Sequence, residues 1–370
     1  MSTTLCAPTS VPAAGPRLDR RALLVLILLT PGIPELLTGS TTITRLVFDP
    51  FGFLVTLLLD LALYTTGALL IREAAVRWNR GWGTVLLLGL AYGIVEEGLA
   101  VHTFFQPGGN PVALFGSYGR WLGLNWVWAG EFAFFHATFS IALPLYLYTR
   151  IYPDLRGVPL LTRRSALVCV GGILSVVLLG DLAFAAVDRP PILWEVGLSL
   201  AVLLLAAAAR YLPNRFALAA SGPPRASARR FLLLGLLPFA AWLPGSYLLA
   251  YRGAPPTLTL LLVGASYIVP ALLVLRWIGS ESNDPQCFAF VVGLLLPIFA
   301  FSTLFGLVIV PGLELVDVAY IGGLWWLRRH VFTGNDGYAA QGAVVPEGAT
   351  WPVRARAPTV VPPPAPLQRP

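Results

Sequence analysis

The chain has 370 residues, of which 56% are hydrophobic and only 12% charged. Soluble domains carry about 25% charged residues, so with a mean hydropathy of +0.74 there is too little charge here to cover a water-facing surface, and a soluble enzyme is excluded. The net charge of +7 is carried by arginine alone, as the sequence has no lysine, and the arginines fall in the short loops of a membrane protein, so no nucleic-acid partner is implied.

Residues 1–16 are rich in Ser, Thr, Pro and Ala and read as a disordered tail. Arg17, Arg20 and Arg21 then precede the apolar run Ala22–Leu29, as at the start of a signal peptide. No small-x-small cleavage site follows, so this is read as an uncleaved first helix with flanking charge rather than a twin-arginine signal. The three cysteines, Cys6, Cys169 and Cys287, have neither metal-ligand spacing nor a disulfide pattern.

Apolar runs of about twenty residues each cross a hydrocarbon core ~30 Å thick. Ten are expected: Ala22–Gly39, Phe51–Ile71, Trp82–Phe104, Leu122–Thr149, Ser165–Val187, Pro191–Tyr211, Phe231–Tyr251, Leu258–Ile278, Phe288–Val310 and Leu313–Leu327. The first is interrupted by Pro31 and Pro34 and the last is short, so either could be re-entrant. With both ends in the cytoplasm, 21 arginines fall inside, and only Arg45, Arg120, Arg189 and Arg252 fall outside. That alternation obeys the positive-inside rule loop by loop. The expectation is therefore an all-α, polytopic transmembrane bundle over residues 17–330, N-in and C-in, with a Pro-rich cytoplasmic tail over residues 331–370. The arginine-only basic set, with abundant Ala, Leu, Gly and Pro, points to the cytoplasmic membrane of a prokaryote with a GC-rich genome.

Carboxylates inside spans cost about 2.5–3.5 kcal/mol at the bilayer centre. Those expected here are Glu35, Asp60, Glu96, Glu97, Glu131, Asp181 and Glu195, with Glu314 and Asp317 in the last span. All fall in the outer half of their helices on the arginine topology. His102 and His136 share the spans of Glu96, Glu97 and Glu131, which points to a polar cavity beneath the outer face. Glu35, Glu195, Glu314 and Asp317 also suit an interface, and Asp60 and Asp181 suit protonated hydrogen bonds between helices.

Adjacent Glu96 and Glu97 lie ~100° apart on a helix, so both need shelter. Gly89, Gly93 and Glu97 form one stripe, and a glycine stripe admits a neighbouring helix. Glu96 shares the other stripe with Tyr92 and Thr103. Two such carboxylates share a proton or hold a cation. His136 lies on the stripe Trp128, Phe132, His136, Ser140 of the next span. By rise per residue it sits roughly 18 Å below the outer boundary, against roughly 10 Å for Glu97. A metal site joining them therefore requires a tilt or a boundary shift of about one turn. Tyr92 is at the depth of His136, so a Tyr92–His136 hydrogen bond is the alternative. His102 points away from the pair, and His330 reads as interfacial.

The pair Glu96-Glu97, followed on the next span by Phe132-Ala133-Phe134-Phe135-His136, resembles the first two motifs of the CAAX-protease and bacteriocin-processing family of intramembrane metalloproteases. That resemblance implies that Glu96 or Glu97 activates water and that His136 helps to bind a metal or the oxyanion. Val101 stands where the family has arginine, and the later His-x-x-x-Asn or Asp motif is missing. Glu96, Glu97 and His136 are the candidate catalytic residues. Glu97 and His136, completed by Glu96, Glu131 or His102, are the candidate ligands for zinc or another divalent ion. A hydrolase acting on a peptide or lipid-linked substrate, a proton- or cation-coupled transporter, and a non-catalytic assembly or sensor protein all remain open.

Overall fold

The structure, a computed structural model, describes residues 20–106, 116–184, 190–212, 223–278 and 284–329. The two expected tails, His330 and Cys6 lie outside those residues. The fold is the expected all-α bundle of long apolar helices. In chain order they are α1 (Arg20–Pro31, continued by Gly32–Leu36), α2 (Pro50–Arg77), α3 (Trp82–Ala100), α4 (Trp126–Ile151), α5 (Arg163–Phe184), α6 (Ile192–Tyr211), α7 (Ala228–Tyr251), α8 (Pro256–Trp277), α9 (Asp284–Val308) and α10 (Leu313–Leu327). Eight of these, α2 to α9, are long and apolar enough to cross a membrane. The first and last are shorter.

Pro31 and Pro34 do not break α1. Its α-helical part ends at Pro31, and the chain continues through a π-helical turn over Gly32–Leu36, closed by Leu37 N donating to Gly32 O at 3.1 Å. The wider turn accommodates prolines that supply no N–H.

Among the described residues the core has three clusters, and α1 and α4 contribute to both of the larger ones. One packs α1 to α5 around Leu26, Tyr64, Ala68, Ile141 and Tyr148. The other packs the ends of α1 and α4 against α7 to α10 around Ile33, Phe139, Phe239, Leu295 and Ile298. Helices α7 and α9 meet backbone to backbone, and a Cβ on Gly235 would lie 2.9 Å from Gly293 Cα. Helices α5 and α6 lie at the periphery and expose Leu167, Val168, Leu203 and Leu204. Such unpartnered apolar faces belong in lipid, where burial inside the protein is not needed.

Between α3 and α4 the chain folds back over the bundle. A two-residue pairing of β1 (Arg120–Trp121) with β2 (Leu124–Asn125) turns through Leu122 and Gly123, both at positive φ, the conformation a tight hairpin turn requires. Arg120 donates to the carbonyls of Phe105, Gln106 and Gly116, tying the loop together. Asn125 caps α4 by accepting from Trp128 N at 3.0 Å. At the other end of α2, buried Glu73 accepts from Leu160 N at 2.8 Å and Leu161 N at 3.2 Å, and pairs with Arg77 at 2.7 Å.

A candidate metal centre between four helices

Four helices each depart from α-helical bonding at the same place in the bundle. The π-helical stretches are Gly32–Leu36 in α1, Leu61–Thr65 in α2, Ile94–Ala100 in α3 and His136–Ala142 in α4. They carry Glu35, Tyr64, Glu96 with Glu97, and His136. Single π turns concentrate at functional sites because the extra residue in the turn pushes side chains inward.

The glycine stripe provides the approach between α3 and α4. A Cβ on Gly89 would lie 2.7 Å from Ala137 Cα, and one on Gly93 would lie 3.0 Å from Ala133 Cα and 3.2 Å from His136 Cβ. The stripe therefore packs on the next span, as the sequence predicts, and delivers His136 to the glutamates. The helix ends do not account for the expected depth difference, since α4 begins at Trp126 rather than Leu122 and α3 ends at Ala100 rather than Phe104, and the two shifts cancel.

His136 stands between the two carboxylates. Its Nε2 lies 3.0 Å from Glu97 Oε1, and its Nδ1 lies 3.0 Å from Glu96 Oε2 and 2.9 Å from Ser140 Oγ. The hydrogen-bond direction of Nδ1 belongs to Ser140, so the contact with Glu96 is an ion-pair distance only. Glu96 Oε2 is buried and has no hydrogen-bond partner. One ligand atom from each of Glu96, Glu97 and His136 fits within a sphere of mutual separations up to 4.8 Å. Ligands ~2.1 Å from a tetrahedral zinc lie roughly 3.4 Å apart, so a divalent ion held here would draw the three side chains closer together. The charges fit such an ion, since two carboxylates and a neutral imidazole are balanced by a dication. That balance matters in an interior where unpaired charge costs several kcal/mol.

A surrounding shell holds the glutamates in place. The Thr103 hydroxyl donates to Glu97 Oε2 and accepts from Trp128 Nε1 at 3.1 Å. Thr103 was expected on the face of Glu96. It reaches Glu97 because the helix ends at Ala100 and the chain reverses through His102 at φ 58°, so helical spacing no longer applies. Tyr64 hydrogen-bonds both Glu96 Oε1 and Glu35 Oε1. One phenol proton serves one acceptor, so the second contact needs a protonated carboxyl. Thr41 continues the chain, donating within 3.2 Å of Glu35 Oε2 and 3.3 Å of Asp60 Oδ2. The Tyr92–His136 hydrogen bond does not form. The two rings meet edge-on at 6.1 Å, and no bond from the Tyr92 hydroxyl satisfies hydrogen-bond geometry.

A cavity of about 170 Å³ opens beside the cluster, with Glu35, Tyr64, Glu97 and His136 in its wall and Glu131 further along. The structure thus brings Glu96, Glu97 and His136 together and places Glu131 in the same cavity but outside the three-residue cluster. His102, although buried, is not part of the cluster either. Of the other acids, Glu35 and Asp60 join the network. Glu314 accepts from Gly312 N, and Asp317 accepts from Thr303.

A family described as "Uncharacterized membrane protein family" matches residues 24–334. The match covers most of the chain, including every helix of the bundle except the first residues of α1, and the chain belongs to that family. No curated protein and no solved structure matches it.

Proposed function

We propose that this family member is a membrane-embedded, metal-dependent hydrolase with its reaction centre at Glu96, Glu97 and His136. One observation carries the reading. Three ligand-bearing side chains from two helices converge within 4.8 Å beside a cavity, and one of their buried oxygens, Glu96 Oε2, has no hydrogen bond. A buried acceptor without a partner costs about 1–3 kcal/mol, and a bound ion removes that cost. The resemblance to the CAAX-protease and bacteriocin-processing family supports the same residues in the same order along the chain. The family's last motif has no counterpart here, and α7 presents Trp242 and Ser246 at i, i+4 to the cavity.

A divalent ion held there supplies a Lewis acid and a water acidic enough to attack a carbonyl near neutral pH. The remaining roles belong to the chain. Glu97, fixed by Thr103 and His136, is the positioned ligand. Glu96, with Oε1 held by Tyr64 and Oε2 without a hydrogen bond, would be the third ligand. The hydrogen bond between Ser140 and His136 Nδ1 fixes the ring so that Nε2 faces Glu97. With the arginine-rich loops in the cytoplasm, this centre lies in the outer half of the bilayer. The substrate is then a lipid-linked or membrane-inserted molecule whose scissile group enters the cavity.

The test is hydrolysis by the chain reconstituted in proteoliposomes, using fluorogenic acyl esters and lipidated peptides with and without a chelator. Cleavage that a chelator stops, that divalent ions restore and that Glu96→Gln abolishes supports the reading. Cleavage unaffected by chelator and by Glu96→Gln overturns it. Proton- or cation-coupled transport is favoured by a different observation, the continuous polar chain from Asp60 through Thr41, Glu35 and Tyr64 to Glu96. On that reading Asp60→Asn is as damaging as Glu96→Gln, whereas the hydrolase tolerates it.

A further inference from the structure

Glu131 is not needed by the metal cluster, yet it is among the most buried charged residues of the protein. It is 1% exposed, and its Oε1 has no hydrogen-bond partner. It sits five residues before His136 on α4, roughly 7 Å toward the start of the helix, and lines the same cavity. Around it the cavity wall is aromatic, made of Trp128, Phe132, Phe135, Trp242 and Tyr247. The rings are mutually braced. Trp128 meets Phe132 at a tilt with centroids 4.0 Å apart, and Trp242 meets Phe132 edge-on at 6.0 Å and Phe135 at a tilt at 5.5 Å. Ser246 and Trp242 face the carboxylate from α7.

We propose that this end of the cavity binds an alkylammonium cation, with Glu131 as its counter-ion and the surrounding rings as a cation–π box. A buried carboxylate with one oxygen unpaired attracts a cation, and the cluster's own ion is accounted for by Glu96, Glu97 and His136. Ring faces stabilise organic cations by about 2 kcal/mol or more when water is excluded, whereas a small hydrated metal ion gains little from such a wall. The size also fits, since cavities of ~150 Å³ take up benzene and this one measures about 170 Å³. No arginine lines the cavity, and its one histidine, His136, is held by Glu96 and Glu97, so no basic side chain of the wall pairs with Glu131. The ammonium group reaches the site either as a free amine or as the headgroup of a lipid. This binding site stands whether or not the cluster is hydrolytic. On the hydrolase reading it holds one end of the substrate roughly 7 Å along the α4 axis from His136.

The test is calorimetric titration of the full chain in maltoside micelles with choline, and in parallel with a short-chain phosphatidylcholine against phosphatidylglycerol. Saturable binding of choline or of the choline lipid is expected. The uncharged isostere 3,3-dimethylbutanol and the Glu131→Gln variant should each bind about tenfold more weakly, the loss of one buried cation contact. Trp242→Phe, which keeps a ring, should retain binding. Bound metal should be unchanged in Glu131→Gln. Equal affinity for the uncharged isostere, undiminished binding by a folded Glu131→Gln protein, or loss of metal from that variant would each overturn the proposal. If the wild type holds no metal but still binds choline, the hydrolase reading fails and the ammonium site survives.

Discussion

His136 and Glu97 are 39 positions apart and meet with Nε2 3.0 Å from Oε1, inside a bundle of apolar helices. The contact depends on α3 and α4 touching along glycine. The same imidazole reaches Glu96 with its other nitrogen, so one ring bridges two adjacent carboxylates.

The first prediction concerns that approach. Gly89→Ala places a methyl 2.7 Å from Ala137 Cα, and backbone cannot give way as a flexible side chain can. The variant should lose about 1–3 kcal/mol of stability, the usual cost of overpacking. Thermal unfolding in detergent measures this. An unchanged midpoint would show that the two helices are not packed as described.

The role of Thr103 can be separated from folding. Thr103→Val keeps the shape but removes the hydroxyl that links Trp128 to Glu97. Metal affinity should fall by about 10–100-fold, as it does when an outer-shell partner is removed, while the thermal midpoint moves little. Equal affinity in titrations of the two proteins would remove Thr103 from the account.

Much of this was legible in the sequence, and what was not has definite causes. Each of the ten apolar runs contains a helix among the described residues, eight of them long and apolar enough to cross a membrane, because a helix satisfies its own backbone in hydrocarbon. Gly89, Gly93, Glu97 and the Trp128, Phe132, His136 stripe were readable from helical spacing. Spacing failed where the helices stop being α-helical. The π turns shift the faces after residues 94 and 136, and the reversal after Ala100 carries Thr103 to the opposite carboxylate. Tyr64 was missed because a tyrosine in a span reads as an ordinary aromatic. The polar triplet Tyr64-Thr65-Thr66 within an otherwise apolar run was the available signal.

An anchor remote from the site provides a control. Glu73→Ala leaves the backbone N–H groups of Leu160 and Leu161 without their acceptor and removes the pair with Arg77. Stability should fall by about 1–3 kcal/mol with metal affinity unchanged. A loss of metal affinity at unchanged stability would connect this end of α2 to the centre, contrary to the fold.

Orientation is checked by reporter fusions. Arg80, in the loop after α2, and Arg164, at the start of α5, should read cytoplasmic, and Arg252, in the loop after α7, should read external. An external signal at Arg164 would reverse the bundle and move the cluster to the inner half of the bilayer.

Metal content is the most direct test of the central claim that Glu96, Glu97 and His136 form a divalent-cation site. The wild-type chain and the variants Glu96→Gln, Glu97→Gln and His136→Ala would be purified in detergent, loaded with zinc or manganese, desalted and measured by elemental analysis. Circular dichroism of the same samples would confirm that each is folded. The account predicts about one tightly held divalent ion per wild-type chain and a loss of most of it in each variant. A folded wild-type protein that retains no divalent ion, or variants that retain as much as the wild type, would contradict it.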